Sequence, residues 1–236
     1  MFLVEGLRHV ARAIEEGAAV ERLFYSRSAL SNRFGRKLVE RHGRSRIELS
    51  QNLYRALTLA VDPQGIGAVV RQRWQRLESL PLASDALLLV VESVESPGNL
   101  GTMLRTAEAA GVSAVILVGE QADPYDPAAV RASVGAVFAV PLVRAGIREF
   151  TDWAKARGVA VAGSSPSGLL EYRALRCRWP MALLLGSEKL GLSPALLEAC
   201  DYTVRIPMFG RGESVNVAVA AGVLLYEMFH QRRERD

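Results

Sequence analysis

Apolar positions along this 236-residue chain recur in two registers, one helical and one strand-like. Residues 6–16 put Leu7, Val10, Ala11 and Ile14 on one helical face, and residues 22–26 read as a short strand. A second amphipathic segment covers 29–41. It is followed by a strand at 46–49, a helix at 51–60 and, past Asp62-Pro63-Gln64-Gly65, a strand at 67–71. Residues 72–84 lack clean periodicity and carry Pro81, so they mark a boundary. The predicted organisation is a small α/β domain over 1–74, a linker over 75–84 and a larger domain over 85–236. Trp74 either docks the two parts or caps a core.

Beyond the linker the rhythm is longer and more regular. Strands at 86–93, 114–118, 159–163, 181–185 and 202–206 alternate with helices at 99–110, 126–134, 147–157, 193–200 and 214–232. Runs such as ALLLVV and MALLL are apolar at every position, which predicts a parallel sheet buried on both faces. The fold class is therefore α/β, with a doubly wound second domain. Three polar blocks follow three of these strands: Pro97 to Ala107, Gly186 to Leu192, and Ile206 to Asn216. Loops at the carboxyl ends of parallel strands are where open α/β sheets bind ligands.

Composition narrows what that rim can serve. Half the residues are hydrophobic, enough for a substantial core, yet the longest apolar run, 217–225, is short for a membrane span. The chain reads as soluble and cytoplasmic, with no membrane segment. Its two cysteines, Cys177 and Cys200, and three histidines, His9, His42 and His230, show no metal-ligand spacing, so no metal site is expected. Charge is uneven: residues 1–80 hold 14 Lys+Arg against 8 Asp+Glu, whereas the remainder holds 15 against 17. Arg33, Arg36, Lys37, Arg41, Arg44 and Arg46 crowd one stretch with only Glu40 opposing them, which suits either phosphate contacts or a solvated face.

The loop residues admit two readings. Gly98 and Gly101 allow close backbone approach at a helix amino terminus, where anions are favoured, with Asn99 and Arg105 beside them. Equally, Asn99 is a plain N-cap and Arg105 a surface residue. Ser214 can cap the last helix, leaving Asn216 solvated in its first turn. Neither the dinucleotide fingerprint nor the P-loop pattern occurs, which removes support for a dehydrogenase or an NTPase.

The blocks PGNLGTMLRTAEAAG, LLLGSEKLGLS and IPMFGRGESVNVAVA resemble, in order and internal spacing, the three motifs of the SpoU/TrmH branch of the SPOUT methyltransferases, which methylate ribose 2′-hydroxyls in RNA. This resemblance spans about 86–230. The pieces LVEGLRHVARAIEEG and QGIGAVV resemble the small L30e-like RNA-binding domain that many members carry, here without the short upstream helix of many relatives. The resemblance implies a carboxyl-terminal trefoil knot, a rare feature among folds. It also implies a methyl donor, S-adenosylmethionine, contacted through Gly186, Ile206 and Val215, with Leu185, Met208 and Asn216 closing the pocket. Val215 stands where leucine is usual, and Lys189 where glycine is frequent in some branches.

The same resemblance assigns the catalytic set Arg105, Asn99, Glu188, Ser214 and Asn216. A guanidinium stays protonated and is a poor base, which favours Arg105 as a clamp on the neighbouring phosphate that polarises the hydroxyl; phosphate-assisted proton removal is the other option. A sulfonium donor is already activated, so no metal is required. The implied partners are RNA, ribosomal favoured over transfer RNA, through Arg33, Arg36, Lys37, Arg41 and Arg44, and a second copy of the chain. Val217, Val219, Val223, Leu224 and Phe229 could face that copy or the chain's own core. The alternatives are a transfer-RNA ribose or RNA base methyltransferase of the same fold, and a non-catalytic RNA-binding homologue.

Overall fold

The computed structural model describes residues 1–42, 45–59, 63–120 and 122–234. At the front, β1 (Phe2–Glu5), α1 (Leu7–Glu15), β2 (Val20–Tyr25), α2 (Arg33–Arg41), β3 (Arg46–Glu48), α3 (Gln51–Leu57) and β4 (Ile66–Val70) build a four-stranded sheet ordered β1-β4-β2-β3. Strand β4 runs antiparallel to β1 and β2, while β2 and β3 are parallel. Side-chain caps fix the helix starts. Asn32 accepts from the amides of Phe34 and Gly35, so α2 begins at Arg33 rather than at residue 29. Arg44, the predicted helix end at 60 and the turn residue Asp62 lie outside the described residues.

The second sheet is larger. Its elements are β5 (Leu87–Glu92), α4 (Pro97–Ala109), β6 (Ala114–Val118), α5 (Pro127–Ser133), α6 (Ala136–Ala139), β7 (Leu142–Ala145), α7 (Ile147–Ala156), β8 (Ala160–Ser164), β9 (Leu170–Glu171), β10 (Met181–Leu185), α8 (Pro194–Glu198), β11 (Tyr202–Arg205) and α9 (Val217–Arg233). Seven parallel strands stand in the order β7-β6-β5-β10-β8-β11-β9. Strands β7 and β9 were not anticipated. The first offers two apolar residues before a charge and the second has two residues in all, too little for a period to show.

Alternate residues of β5 explain the double burial. Leu87, Leu89 and Val91 pack with Leu100, Met103 and Leu104 of α4 and with Leu224, Leu225 and Met228 of α9. Leu88 and Val90 face the other way, onto Phe150 and Ala154 of α7 and Leu196 of α8. Each such side chain taken fully out of water contributes about 1.5–3 kcal/mol. Gly101 serves this packing: a Cβ there would lie 2.3 Å from the Ala129 carbonyl oxygen, so α4 and α5 touch backbone to backbone at that point. That is a helix–helix role in place of the ligand approach expected for it.

The two sheets share one apolar core. Phe2 of β1 packs between Tyr125, tilted against it with ring centroids at 4.5 Å, and Phe138, stacked at 6.0 Å, and Trp74 meets Tyr125 edge-on at 5.3 Å. Trp74 therefore docks the two parts. Gln75 pairs with Val143 on the free edge of β7, and Leu77 and Leu80 are buried in the second core. A cavity of about 420 Å³ lies between the halves beside Trp74 and Phe138. Among the described residues no helix is long and apolar enough to cross a membrane.

Candidate active site

Chain order and sheet order together locate the crevice. From β5 the chain moves outward through β6 and β7, then crosses to β8 on the far side, and β10 returns between β5 and β8. Strands β5 and β10 thus flank a topological switch point, with Leu185 opposite Val91 at their carboxyl ends. Loop 93–96 and the start of α4 leave one side of that point; loop 186–193 leaves the other.

Three predicted residues from three separate motifs meet there. Asn99 donates through Nδ2 to Glu188 Oε1 at 2.9 Å, and Asn216 donates through Nδ2 to Asn99 Oδ1 at 3.2 Å. Asn216 Oδ1 in turn accepts from the amides of Ala218 and Val219 at 2.9 and 3.4 Å. A carboxylate only accepts, so the amide orientations are dictated along the whole series. Dipoles line up from the amino terminus of α9, through two side-chain amides, to Glu188.

These contacts also settle the capping question left open above. The N-cap of α4 is Ser96, whose hydroxyl accepts from the Asn99 amide at 3.3 Å, with Pro97 in the first turn. Asn99 is thereby free to use its side chain across the crevice. The N-cap of α9 is Asn216 and not Ser214, and the helix starts at Val217 rather than 214. Ser214 is exposed.

Loop 186–191 is closed tightly on itself. Ser187 and Gly191 exchange backbone hydrogen bonds at 3.1 and 3.0 Å, Ser187 Oγ accepts from the Leu190 amide, and Gly191 takes φ +69°. A Cβ on Gly186 would fall 2.0 Å from the Gly191 carbonyl carbon, so only glycine fits. Lys189 reaches back to Glu95 at 2.8 Å, and the Glu95 amide donates to Glu188 Oε2 at 3.4 Å. Burial pushes the Glu188 carboxyl upward, but the Asn99 hydrogen bond and the amides of Glu188, Glu95 and Ser96 outweigh it and hold the group below the usual carboxylate value. Glu95 and Lys189 were not singled out as a pair; their opposite charges in two converging loops were the available signal.

The remaining predicted residues are dispersed. Arg105 is exposed and, among the described residues, its side chain has no ion pair or hydrogen bond. Six positions along α4 turn it about 120° from Asn99 and move it roughly 9 Å along the axis, so it stands outside the amide series. Leu185 is buried, Ile206 and Val215 are half-buried, and Met208 is 39% exposed. The backbone of residues 208–214 makes no hydrogen bond with any described residue. Arg33, Arg36, Lys37 and Arg41 are all exposed on α2. Burial pushes the Cys177 thiol to about 12 and Cys200 to about 11, assisted by Glu227 and Asp201 respectively, which leaves both protonated at neutral pH.

Fold and site define a doubly wound α/β domain whose ligand crevice lies at the switch point of a parallel sheet, joined to a small basic α/β module. Residues 86–226 match the SpoU rRNA Methylase family, and residues 1–68 match the MRM3-like substrate binding domain. The chain is 35% identical to the 23S rRNA (uridine(2479)-2′-O)-methyltransferase of Streptomyces viridochromogenes, across 98% of this chain and 83% of that one. It is 37% identical to the 23S rRNA (guanosine(2553)-2′-O)-methyltransferase RlmP of Bacillus subtilis (strain 168), across 76% and 71%. Among solved structures it superposes with a TM-score of 0.90 and 35% identity on the SpoU methyltransferase AviRb from Streptomyces viridochromogenes in complex with AdoMet, covering 98% of this chain and 90% of that one. The chain belongs to the SpoU rRNA methylase family.

Proposed function

We propose that this chain transfers the methyl group of S-adenosylmethionine to a ribose 2′-hydroxyl of 23S-type ribosomal RNA. The observation that carries the reading is the directed Asn216–Asn99–Glu188 series at the switch-point crevice. Relatives that span most of the chain are named for this reaction on uridine and on guanosine, two different bases. What those two targets have in common is the ribose and phosphate, and those are groups that the side chains of Asn99, Glu188 and Asn216 are suited to hold.

The crevice has the chemistry to hold the donor. A purine nucleoside needs an apolar slot and backbone hydrogen-bonding groups; Leu185, Ile206 and Val215 supply the first, and Gly186 with the unengaged backbone of 208–214 the second. When bound, S-adenosylmethionine supplies an electrophilic methyl group on a sulfonium. Met208 closes the pocket. Glu188, Asn99, Asn216 and Ser214 orient the ribose and the amino-acid end of the donor. Arg105, standing clear of the series and permanently charged, clamps the neighbouring phosphate and polarises the hydroxyl, and its position beyond the crevice suits a ligand as extended as RNA.

Around this site the proposal includes a trefoil knot formed by 186–192 and 206–216. The front domain, 1–74, is read as L30e-like, with 75–84 joining it to 85–236. Arg33, Arg36, Lys37, Arg41 and Arg44 contact RNA, two copies of the chain assemble, and the enzyme works in the cytoplasm. The test is Arg105→Ala. Transfer falls on the order of 100-fold or more while S-adenosylmethionine affinity by calorimetry stays within about twofold. Wild-type turnover in that variant removes Arg105 from the mechanism.

A further inference from the structure

Strand β5 ends in a carboxylate the site does not explain. Glu92 closes a strand in which all six residues are buried, and it is itself 6% exposed. Its Oε2 accepts from the backbone amide of Ser193 at 2.8 Å, across 101 residues of chain. A buried carboxylate is costly unless hydrogen-bonded, and an apolar residue would fill this position at less expense. Ser193 is the residue at which loop 186–192 ends and α8 begins. The loop's entry is fixed by the pairing of Leu185 with Val91, so Glu92 fixes its exit. The residue after Glu92 turns sharply: Ser93 takes φ +52°, and a Cβ on the facing Gly119 would lie 2.8 Å from Ser93 Oγ. That turn launches loop 93–96, which carries Glu95 and leads into the first turn of α4 with Asn99.

We infer that Glu92 is a positioning residue that sets the donor-binding loop 186–192 against loop 93–96 and the first turn of α4, holding Glu188 within reach of Asn99. This rests on the reading of 186–192 as a donor loop. The contact is made to the Ser193 backbone; the Ser193 hydroxyl is buried, has no hydrogen-bond partner among the described residues and takes no part.

The test compares Glu92→Ala, Glu92→Gln and Ser193→Ala in the full chain, by S-adenosylmethionine calorimetry, methyl-transfer kinetics and amide hydrogen exchange. Glu92→Ala weakens donor binding about tenfold and lowers kcat, with KM for RNA little changed, and speeds exchange across 187–193. Glu92→Gln, whose amide oxygen still accepts, restores affinity and protection to within about threefold, and Ser193→Ala matches wild type. Wild-type donor affinity and protection in Glu92→Ala overturns the inference, as does Glu92→Gln being as impaired as Glu92→Ala. Exchange is read without donor, so a wild-type chain that fails to bind S-adenosylmethionine defeats the donor reading while exchange still judges Glu92.

Discussion

Asn99 has two hydrogen-bonding ends and spends both across the crevice, which is possible because Ser96 takes over the capping of α4. Glu188 at the end of that series has a depressed carboxyl pKa. A group whose folded pKa is lowered contributes stability that is fully present above its unfolded value and is lost as pH falls through the folded one. The advantage of wild type over Glu188→Gln in urea unfolding is therefore flat from neutral pH down to the ordinary value of 4.5 and shrinks below it. A difference that already vanishes near pH 6 contradicts the assigned network. Asn99, Glu188 and Asn216 were recognisable in the sequence through their motifs. Which residues cap was not, because Ser96 and Asn99, like Ser214 and Asn216, lie within a turn of one another, and the choice depends on where the preceding strand releases the chain.

Helix α9 has two apolar faces, one buried and one exposed. Ala221, Leu224, Leu225 and Met228 are buried against the sheet, while Val219 and Tyr226, seven residues apart, are each about half exposed on one outward stripe. The list of apolar residues expected on this helix mixed the two: Leu224 belongs to the core and Val219 to the surface. A second copy packed on that stripe gives a gel-filtration mass roughly twice the 25.7 kDa of one chain, and Tyr226→Glu returns it to one. Elution of the wild type as a single chain contradicts the dimer. Four strands of the large sheet, β5, β6, β8 and β10, were legible as largely apolar runs of ordinary length, and β11 as a short run of the strand-favouring residues Tyr, Thr and Val. Strands β7 and β9 are defined by their neighbours: LVRA pairs with β6, and Leu170–Glu171 pairs with β11.

At the scale of the molecule, Phe2, Tyr125, Phe138 and Trp74 merge the basic front module with the parallel-sheet domain into one core. Periodicity along the chain carries no information about such contacts, which join residues far apart in sequence. The charge asymmetry was legible, and α2 displays its basic residues outward. Replacing Arg33, Arg36, Lys37 and Arg41 with Gln flattens the salt dependence of RNA binding by about 3 in the log–log slope, and an unchanged slope returns α2 to a solvated face. The central claim concerns the ribose. Labelled S-adenosylmethionine incubated with unmodified 23S-type ribosomal RNA, followed by digestion to nucleosides, tests it most directly. The label is expected in a single 2′-O-methylnucleoside, and label on a base, or none with the donor bound, contradicts the account.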